Sequence, residues 1–411
     1  MMQFIAKRYD NDKMVFVETS GDTIKKVRTP TPQEISKAGM TAETSPIIGP
    51  GLFDIQVNGG GGVEFSSENL TEEEVVSVFD RIIKQGVFRF CPTVTTNSPA
   101  IMAHAVATIV SAVENNPQYS NLMAGIHLEG PFISRQDGPR GAHPIQWCCP
   151  CNSEIFDEIQ KAARGLIRIV TLSPEYENAS EFIEQLNQDG ILVATGHTNA
   201  TPNQIVMAAD AGAKLATHLS NATYPLLPKW ENYFFAQLTE DRLAASVIAD
   251  CFHVSPMLLR IIVKTKGLDR LVLVSDQASV AGLPPGRYTT NLCDLEILPN
   301  GKVAIADNKE HLLAGASAPI STGMVNIMTA AGLTLTQAYP LATTNPAALL
   351  DLEKYSNGND DFLKVGAKAD FILFDIEPAG FGEYGLADSA NFRRGELVMR
   401  NIVYRGKDWL A

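Results

Sequence analysis

The stretch GLFDIQVNGGGG, residues 51–62, joins an apolar run to two amides and then to four glycines. Its theme, a short apolar run that ends in polar residues and precedes a helical pattern, recurs seven more times up to about residue 276. The eight runs are, in order, GLFDIQVN, FRFCPTVTT, LMAGIHLEG, LIRIVTLSPE, ILVATGHT, KLATHLSN, AASVIADCFH and RLVLVSDQ. Alternating strands and helices predict a parallel α/β sheet, and eight strands predict a closed (β/α)8 barrel of the TIM type, over residues 49–362.

The segments around these runs complete the predicted organisation. TEEEVVSVFDRIIKQG predicts an amphipathic helix, with Thr71 and Glu74 in capping-box spacing and Gly86 at its end. Residues 317–350 predict further helices that complete the barrel. The two ends of the chain carry strand patterns instead, so residues 1–48 and 363–411 are expected to form one small, discontinuous β-sandwich domain.

Composition excludes several classes of partner. The chain has 411 residues and a net charge of −13, without clustered Lys and Arg, which argues against nucleic acid or an anionic membrane but allows an anionic small substrate. It lacks both an apolar run of the ~18–20 residues that span a bilayer and the apolar core of a signal peptide, so we expect a cytoplasmic protein. Cys148, Cys149 and Cys151 cluster in WCCPC but lack a second pair at metal spacing, which favours reduced loop thiols.

Polar residues of catalytic type follow the predicted strands, at the barrel end where such folds place their chemistry. They are Gln56, Asn58, Thr95, Glu129, Glu175, His197, His218, His253 and Asp276. A glutamate and two histidines at separate strand ends suit Zn²⁺ or a similar divalent ion and leave one position for water. A lone histidine would more often be a hydrogen-bonded core residue, and a lone aspartate a strand-end cap. Asp276 is nevertheless a candidate general acid and base.

The order of several motifs resembles a known family. FDIQVNGGGG, GIHLEGPFI, GAH, ATGHTNAT, THLSNA, IADCFH, VSDQASVAG, LAGAS, TTNPA and VGAKAD follow one another as in the amidohydrolase superfamily, and within it as in the N-acetylglucosamine-6-phosphate deacetylases. The resemblance extends from about residue 50 to residue 375. HLEGP, GHT and THLSNA carry most of its specificity, whereas the glycine-rich turns and NPA carry little.

The resemblance implies a function and a set of residue roles. The metal would be held by Glu129, His197 and His218, Asp276 would be the acid and base, and the substrate would contact His143, Ala142, Asn221, Ala222, His253, Leu313 and Gly315. The reaction would release acetate from an amino sugar phosphate. Gln56 and Asn58 stand where two-metal relatives carry histidines, which implies one ion per chain, zinc with iron, cobalt or manganese as alternatives, and the amides as fillers of the second position. The family also implies a homodimer.

One segment departs from the family pattern. After THLSNA the family has an arginine that binds the sugar phosphate, and this chain has Lys229 followed by Trp230. Lysine holds phosphate only as a point charge. Arg140 and Arg287 are possible substitutes. Two alternatives therefore stay open. The first is an amidohydrolase that deacylates a different N-acyl amino sugar, with or without a phosphate. The second is an inactive sugar-binding scaffold, against which the intact ligand set argues.

Overall fold

The computed structural model describes residues 1–41, 43–291, 293–308, 312–352, 362–381 and 393–411. Its strands, in chain order, are β1 (Met2–Arg8), β2 (Met14–Ser20), β3 (Thr23–Arg28), β4 (Ile47–Gly49), β5 (Leu52–Val57), β6 (Gly59–Gly60), β7 (Val63–Glu64), β8 (Val87–Thr95), β9 (Ile126–Glu129), β10 (Ile167–Leu172), β11 (Leu192–Thr195), β12 (Leu215–Ala216), β13 (Ala244–Ile248), β14 (Leu271–Val274), β15 (Gly286–Thr289), β16 (Asp294–Ile297), β17 (Val303–Ile305), β18 (Phe371–Glu377), β19 (Glu396–Tyr404) and β20 (Lys407–Asp408).

The α-helices alternate with the central strands. They are α1 (Pro32–Lys37), α2 (Glu72–Ile83), α3 (Pro99–Asn115), α4 (Ser153–Ala162), α5 (Ala179–Gln188), α6 (Pro202–Asp210), α7 (Tyr233–Thr239), α8 (Pro256–Lys266), α9 (Ile320–Ala331), α10 (Leu335–Ala338) and α11 (Thr344–Leu349). None of the helices in the described part of the chain has the length and apolar composition of a membrane span.

The predicted eight-stranded parallel sheet is confirmed. Its order is β14-β13-β12-β11-β10-β9-β8-β5, and every pairing within it is parallel. The first and last strands approach each other at their carboxyl ends, where Asp276 N–H donates to the Gln56 carbonyl (3.0 Å) and Asn58 N–H donates to the Gln277 carbonyl (2.9 Å). These bonds close the sheet into a barrel, so that all eight strand ends surround one space.

The barrel packs apolar side chains on both sides of its wall. Phe53, Ile55, Ile169 and Val272 belong to a buried cluster in the barrel interior. A second, larger cluster lies between the strands and the outer helices. Strands buried on both faces read as near-continuous apolar runs, which is why the sequence pattern located them.

Helix α2 shows how local sequence determines the outer layer. The Thr71 hydroxyl accepts from Glu74 N–H and the Glu74 carboxylate accepts from Thr71 N–H, so the predicted capping box is present. The helix ends at Ile83, and Gly86 follows with φ +79°, a left-handed conformation that glycine adopts without strain. Its buried face includes Phe79, whose ring meets those of Phe65, Phe90 and Tyr119 edge to face at centroid distances of 6.5, 4.8 and 5.7 Å.

Phe79→Ala is expected to lower the free energy of unfolding by about 3–5 kcal/mol, because it removes a fully buried ring and leaves a cavity between α2 and the barrel wall. Urea unfolding followed by circular dichroism measures this loss. Phe235→Ala is the matched control, since that ring is 42% exposed and its removal should cost less than about 1 kcal/mol. Equal losses in the two variants would contradict the packing argument.

Both termini contribute to a second sheet, as predicted. Its seven strands run in the order β20-β19-β18-β4-β1-β2-β3. The sheet curls so that Ile24 on the edge strand β3 exchanges backbone hydrogen bonds of 2.9 Å with residues 366 and 367, and it encloses its own apolar cluster. The expected boundary between residues 48 and 49 falls inside β4, and the exact division into domains stays a prediction.

Two small β-structures near the carboxyl end of the barrel were not anticipated. β6 and β7 form a two-stranded ribbon directly after β5, and β15, β16 and β17 form a three-stranded antiparallel sheet between β14 and α9. The second of these is an insertion into the barrel, and residues from it line a cavity at the carboxyl end of the strands.

Candidate metal and substrate site

Three candidate ligand atoms converge at the carboxyl end of the barrel. The Glu129 Oε1 atom lies 3.0 Å from His218 Nε2 and 3.3 Å from His197 Nε2, and the two histidine nitrogens are 3.1 Å apart. All three side chains are buried. An oxygen and two nitrogens of these types, gathered around one point, form a donor set that suits a divalent cation.

The backbone at these positions is unusual. His197, His218 and Asp276 each lie two residues beyond a barrel strand and have φ values of +49°, +29° and +51°. Residues other than glycine rarely adopt this left-handed backbone conformation. Such conformations cluster at functional sites, because the surrounding fold must hold them in place. Here they turn three polar side chains from three strand ends toward one cavity.

Hydrogen bonding decides which histidine nitrogens face the cluster. His197 Nδ1 donates to the Pro139 carbonyl at 3.1 Å, so its Nε2 atom carries the lone pair. His218 Nδ1 is buried without a hydrogen-bond partner among the described residues. Burial disfavours the charged form of each group. The two histidines nevertheless lower the pKa of Glu129 well below its ordinary value, and the hydrogen bond and charge of Glu129 raise the pKa of His218. The residues present therefore fit a cation, which would replace these mutual contacts.

A second grouping overlaps the first. Ligand atoms of Glu129, His143 and His197 also lie within 4.8 Å of one another. The set with His218 is the tighter one and uses only strand-end residues, so it is the better candidate. His143 instead bonds through Nδ1 to the Thr96 hydroxyl at 2.9 Å, and burial together with the charge of His197 lowers its pKa to about 3.

The two amides of the opening stretch face the same cluster. Gln56 Nε2 donates to Glu129 Oε1 at 3.0 Å and to Asp276 Oδ1 at 3.1 Å, and Asn58 Nδ2 donates to the same Asp276 oxygen at 2.8 Å. They thus connect the ligand cluster to Asp276 through hydrogen bonds, and their role as fillers of a second metal position stays a prediction. Ile55 lies in the barrel interior, so strict alternation would turn the next side chain, Gln56, outward. Gln56 nevertheless points inward, because the register of β5 against β8 shifts between Asp54 and Val57.

Asp276 lies in the same space as the ligand cluster. Its carboxyl group is buried, and burial together with the negative charge of Glu129 raises its pKa to about 6, against the opposing effect of His218, His253 and Asn58. A carboxyl with a pKa near neutrality exchanges protons readily in both directions.

A cavity of about 500 Å³ opens above this cluster. It is lined by seven residues that the sequence assigned to the substrate, namely Ala142, His143, Asn221, Ala222, His253, Leu313 and Gly315. His253 is oriented by Asp250, whose carboxylate accepts from His253 Nδ1 at 2.8 Å and from the backbone N–H of His253 and of Phe252. Asp250 belongs to the quoted IADCFH motif, but its role as the partner of His253 was not anticipated.

The eighth predicted substrate residue does not join them. Lys229 is exposed, with its Nζ atom 4.5 Å from the centroid of the Trp230 ring, and it is not among the residues that line the cavity. Arg140 donates to the His143 carbonyl at 2.6 Å and pairs with Asp137. Arg287 pairs with Asp294 and Asp307, each at 2.8 Å. A phosphate contact from Lys229 stays a prediction, and neither arginine lines the cavity.

The three clustered cysteines are not among the residues that line the cavity, whereas three residues that were not predicted are. Cys148, Cys149 and Cys151 carry free thiols, and burial raises the pKa of each of them. Glu64, Cys293 and Lys302 line the cavity without having been singled out. The sequence held no signal for Cys293 and Lys302, because they lie on the inserted sheet and not at a barrel strand end. Glu64 follows the glycine stretch after β5, and this position was a signal that could have placed it near the site.

Comparison with known proteins identifies a matching family and several similar enzymes. Residues 47–403 match the amidohydrolase family. N-acetylglucosamine-6-phosphate deacetylases from Bos taurus and Homo sapiens are each 37% identical to this chain over 364 residues, covering 86% of this chain and 83% of the relative. A mutant of the deacetylase from Mycobacterium smegmatis, solved in complex with N-acetyl-D-glucosamine-6-phosphate, superposes with a TM-score of 0.79 at 25% identity over 99% of both chains.

Proposed function

Because this chain belongs to the amidohydrolase family, we propose that it hydrolyses the acetamide of N-acetylglucosamine 6-phosphate to glucosamine 6-phosphate and acetate. The observation that carries the proposal is the buried convergence of Glu129, His197 and His218 beside Asp276 on the floor of one cavity. The similarity to deacetylases of this substrate over most of the chain supplies the substrate class.

One divalent cation would be held by Glu129 Oε1, His197 Nε2 and His218 Nε2. When bound, such an ion acidifies a water molecule and polarises the acetamide carbonyl. Zinc suits this oxygen and nitrogen set, and iron, cobalt and manganese bind similar sets. Gln56 and Asn58 hold the second position with hydrogen bonds to Glu129 and Asp276.

Asp276 would move the proton twice. Its free carboxylate oxygen accepts a proton from the attacking water as the water oxygen bonds to the acetyl carbon, and it then gives that proton to the sugar nitrogen as the carbon–nitrogen bond breaks. The amides of Gln56 and Asn58 hold the other oxygen, so the carboxylate keeps one orientation through both transfers. His143, Asn221 and His253 line the cavity where they can bind and orient the sugar.

A second candidate function follows from the position of Lys229. Because this lysine lies outside the cavity, an amidohydrolase that acts on an unphosphorylated N-acyl amino sugar is the alternative. The homodimer implied by the family resemblance stays a prediction, which sedimentation would test.

We expect the protein to release acetate from N-acetylglucosamine 6-phosphate with a much higher kcat/KM than from N-acetylglucosamine, because the relatives act on the phosphorylated sugar. Acetate release from both sugars and from their N-acetylgalactosamine counterparts measures this preference. A higher kcat/KM for a plain sugar would favour the alternative function, and no acetate from any of them would contradict both.

A further inference from the structure

Lys302 lies at the turn between β16 and β17, on the inserted three-stranded sheet. Its side chain is half-buried and lines the cavity above the candidate metal ligands. Of the described residues that line this cavity, it is the single lysine or arginine. The lining also contains the carboxyl groups of Glu64, Glu129 and Asp276.

This distribution of charge poses a problem for an anionic substrate. The proposed metal ion would offset the charge of Glu129, but the carboxyl groups of Glu64 and Asp276 would still repel a phosphate dianion unless a further cation lies near it. Arg140 and Arg287 are engaged with Asp137 and with Asp294 and Asp307, and Lys229 lies outside the lining. In the described part of the chain, the ammonium group of Lys302 has no ion pair that would compete for it.

The turn that carries Lys302 is held against the barrel. Arg394 Nη2 donates to the Asn300 carbonyl at 2.9 Å, and the Ser317 hydroxyl donates to the Gly301 carbonyl at 2.5 Å. The guanidinium carbon of Arg394 also lies 4.8 Å from the centroid of the Phe252 ring. Phe252 is the neighbour of His253, which lines the same cavity, so the turn is fixed beside the loop that presents His253.

We infer that Lys302 binds the phosphate group of the substrate and thereby sets the preference for a phosphorylated sugar, the task that the family pattern assigns to position 229. The inference rests on the proposed function. The lysine ammonium offers a point charge on a flexible stem, which suits a phosphate that enters at the outer part of the cavity, away from the reacting acetamide. Lys302 is therefore a specificity residue and takes no part in bond breaking.

Lys302→Met is the decisive variant, because methionine keeps most of the apolar stem and removes the charge. It should raise KM for N-acetylglucosamine 6-phosphate about ten- to hundredfold, with kcat and the KM for the unphosphorylated sugar little changed. Lys302→Arg should restore most of the affinity. Lys264→Met is the matched control, the same substitution on an exposed lysine of α8 outside the cavity, and should leave both KM values near those of the wild type. Lys229→Met is measured beside it as the test of the competing phosphate contact.

A second readout separates a charge contact from a packing effect. Rising salt should raise the wild-type KM for the phosphorylated sugar and affect Lys302→Met much less, because the screened attraction has been removed. Thermal unfolding of each variant shows that the fold is retained. A salt response that is equal in both proteins would overturn the inference.

The outcomes distinguish this inference from the function on which it rests. If the wild type prefers the phosphorylated sugar and Lys302→Met keeps its KM, or raises both KM values equally, the assignment of Lys302 is wrong while the function stands. If Lys229→Met alone raises KM for the phosphorylated sugar, Lys229 is the phosphate contact. If the wild type releases no acetate from the phosphorylated sugar, the proposed function fails and the assignment of Lys302 is withdrawn with it.

Discussion

Asp276→Asn is expected to lower kcat by about 10²–10⁴-fold while the fold and the metal content stay unchanged. The amide oxygen of the new side chain can still accept the hydrogen bonds from Gln56 and Asn58, so the local structure has no reason to change. The amide can neither take a proton from the attacking water nor give one to the leaving nitrogen. The loss should therefore appear in kcat, with KM for the sugar phosphate little affected.

The matched control is a buried carboxylate that does not face the substrate. Asp54 accepts backbone hydrogen bonds from Gln56 and Ser275 and is absent from the cavity lining. Asp54→Asn should lower the unfolding temperature and keep most of the turnover per folded molecule. Metal analysis and thermal unfolding accompany both variants. Near-normal turnover in Asp276→Asn with metal bound would remove Asp276 from the mechanism.

Removal of the metal is expected to lower the activity at least about 10³-fold. A cation at this site would stabilise the transition state by several kcal/mol, and about 1.4 kcal/mol corresponds to a tenfold change in rate. Dialysis against a chelator, followed by titration with Zn²⁺, Fe²⁺, Co²⁺ or Mn²⁺, measures the loss and its recovery. Activity should be fully restored at one equivalent per chain, since the amides of Gln56 and Asn58, which donate hydrogen bonds to Glu129 and Asp276, are poor ligands for a second ion.

Two variants locate the ion. His197→Ala should lose both metal and activity, because it removes one of three ligand atoms from the buried cluster. The control is the double variant Cys148→Ser and Cys151→Ser, which removes two free thiols that could also bind a metal ion. This variant should keep one equivalent of metal per chain. A requirement for two equivalents would show that the amides take part in a second site. Retention of metal by His197→Ala would contradict both groupings, because His197 belongs to each of them.

The sequence by itself determined the barrel and the positions where chemistry is possible. The strand LVLV, residues 271–274, is buried on both faces of a parallel sheet, and such a strand must be apolar at every position. This need for apolar residues lies within the strand itself, so the sequence of the strand is enough to predict it. The capping box of Thr71 and Glu74 is equally local, since both partners lie within one turn of helix. Because the carboxyl ends of all barrel strands meet, Glu129, His197 and His218 could be expected in one place.

Only the tertiary structure decided what faces the cavity. The sequence placed Gln56 at the site, but its inward orientation beside the inward-facing Ile55 depends on a register shift between β5 and β8, which pair residues 35 apart in the chain, such as Val57 and Pro92. Loops and insertions depend on such distant contacts even more strongly. Lys229, for which the family resemblance predicts a phosphate contact, lies on the surface. Lys302, at no strand end of the barrel, lines the cavity because Arg394 and Ser317 hold its turn there.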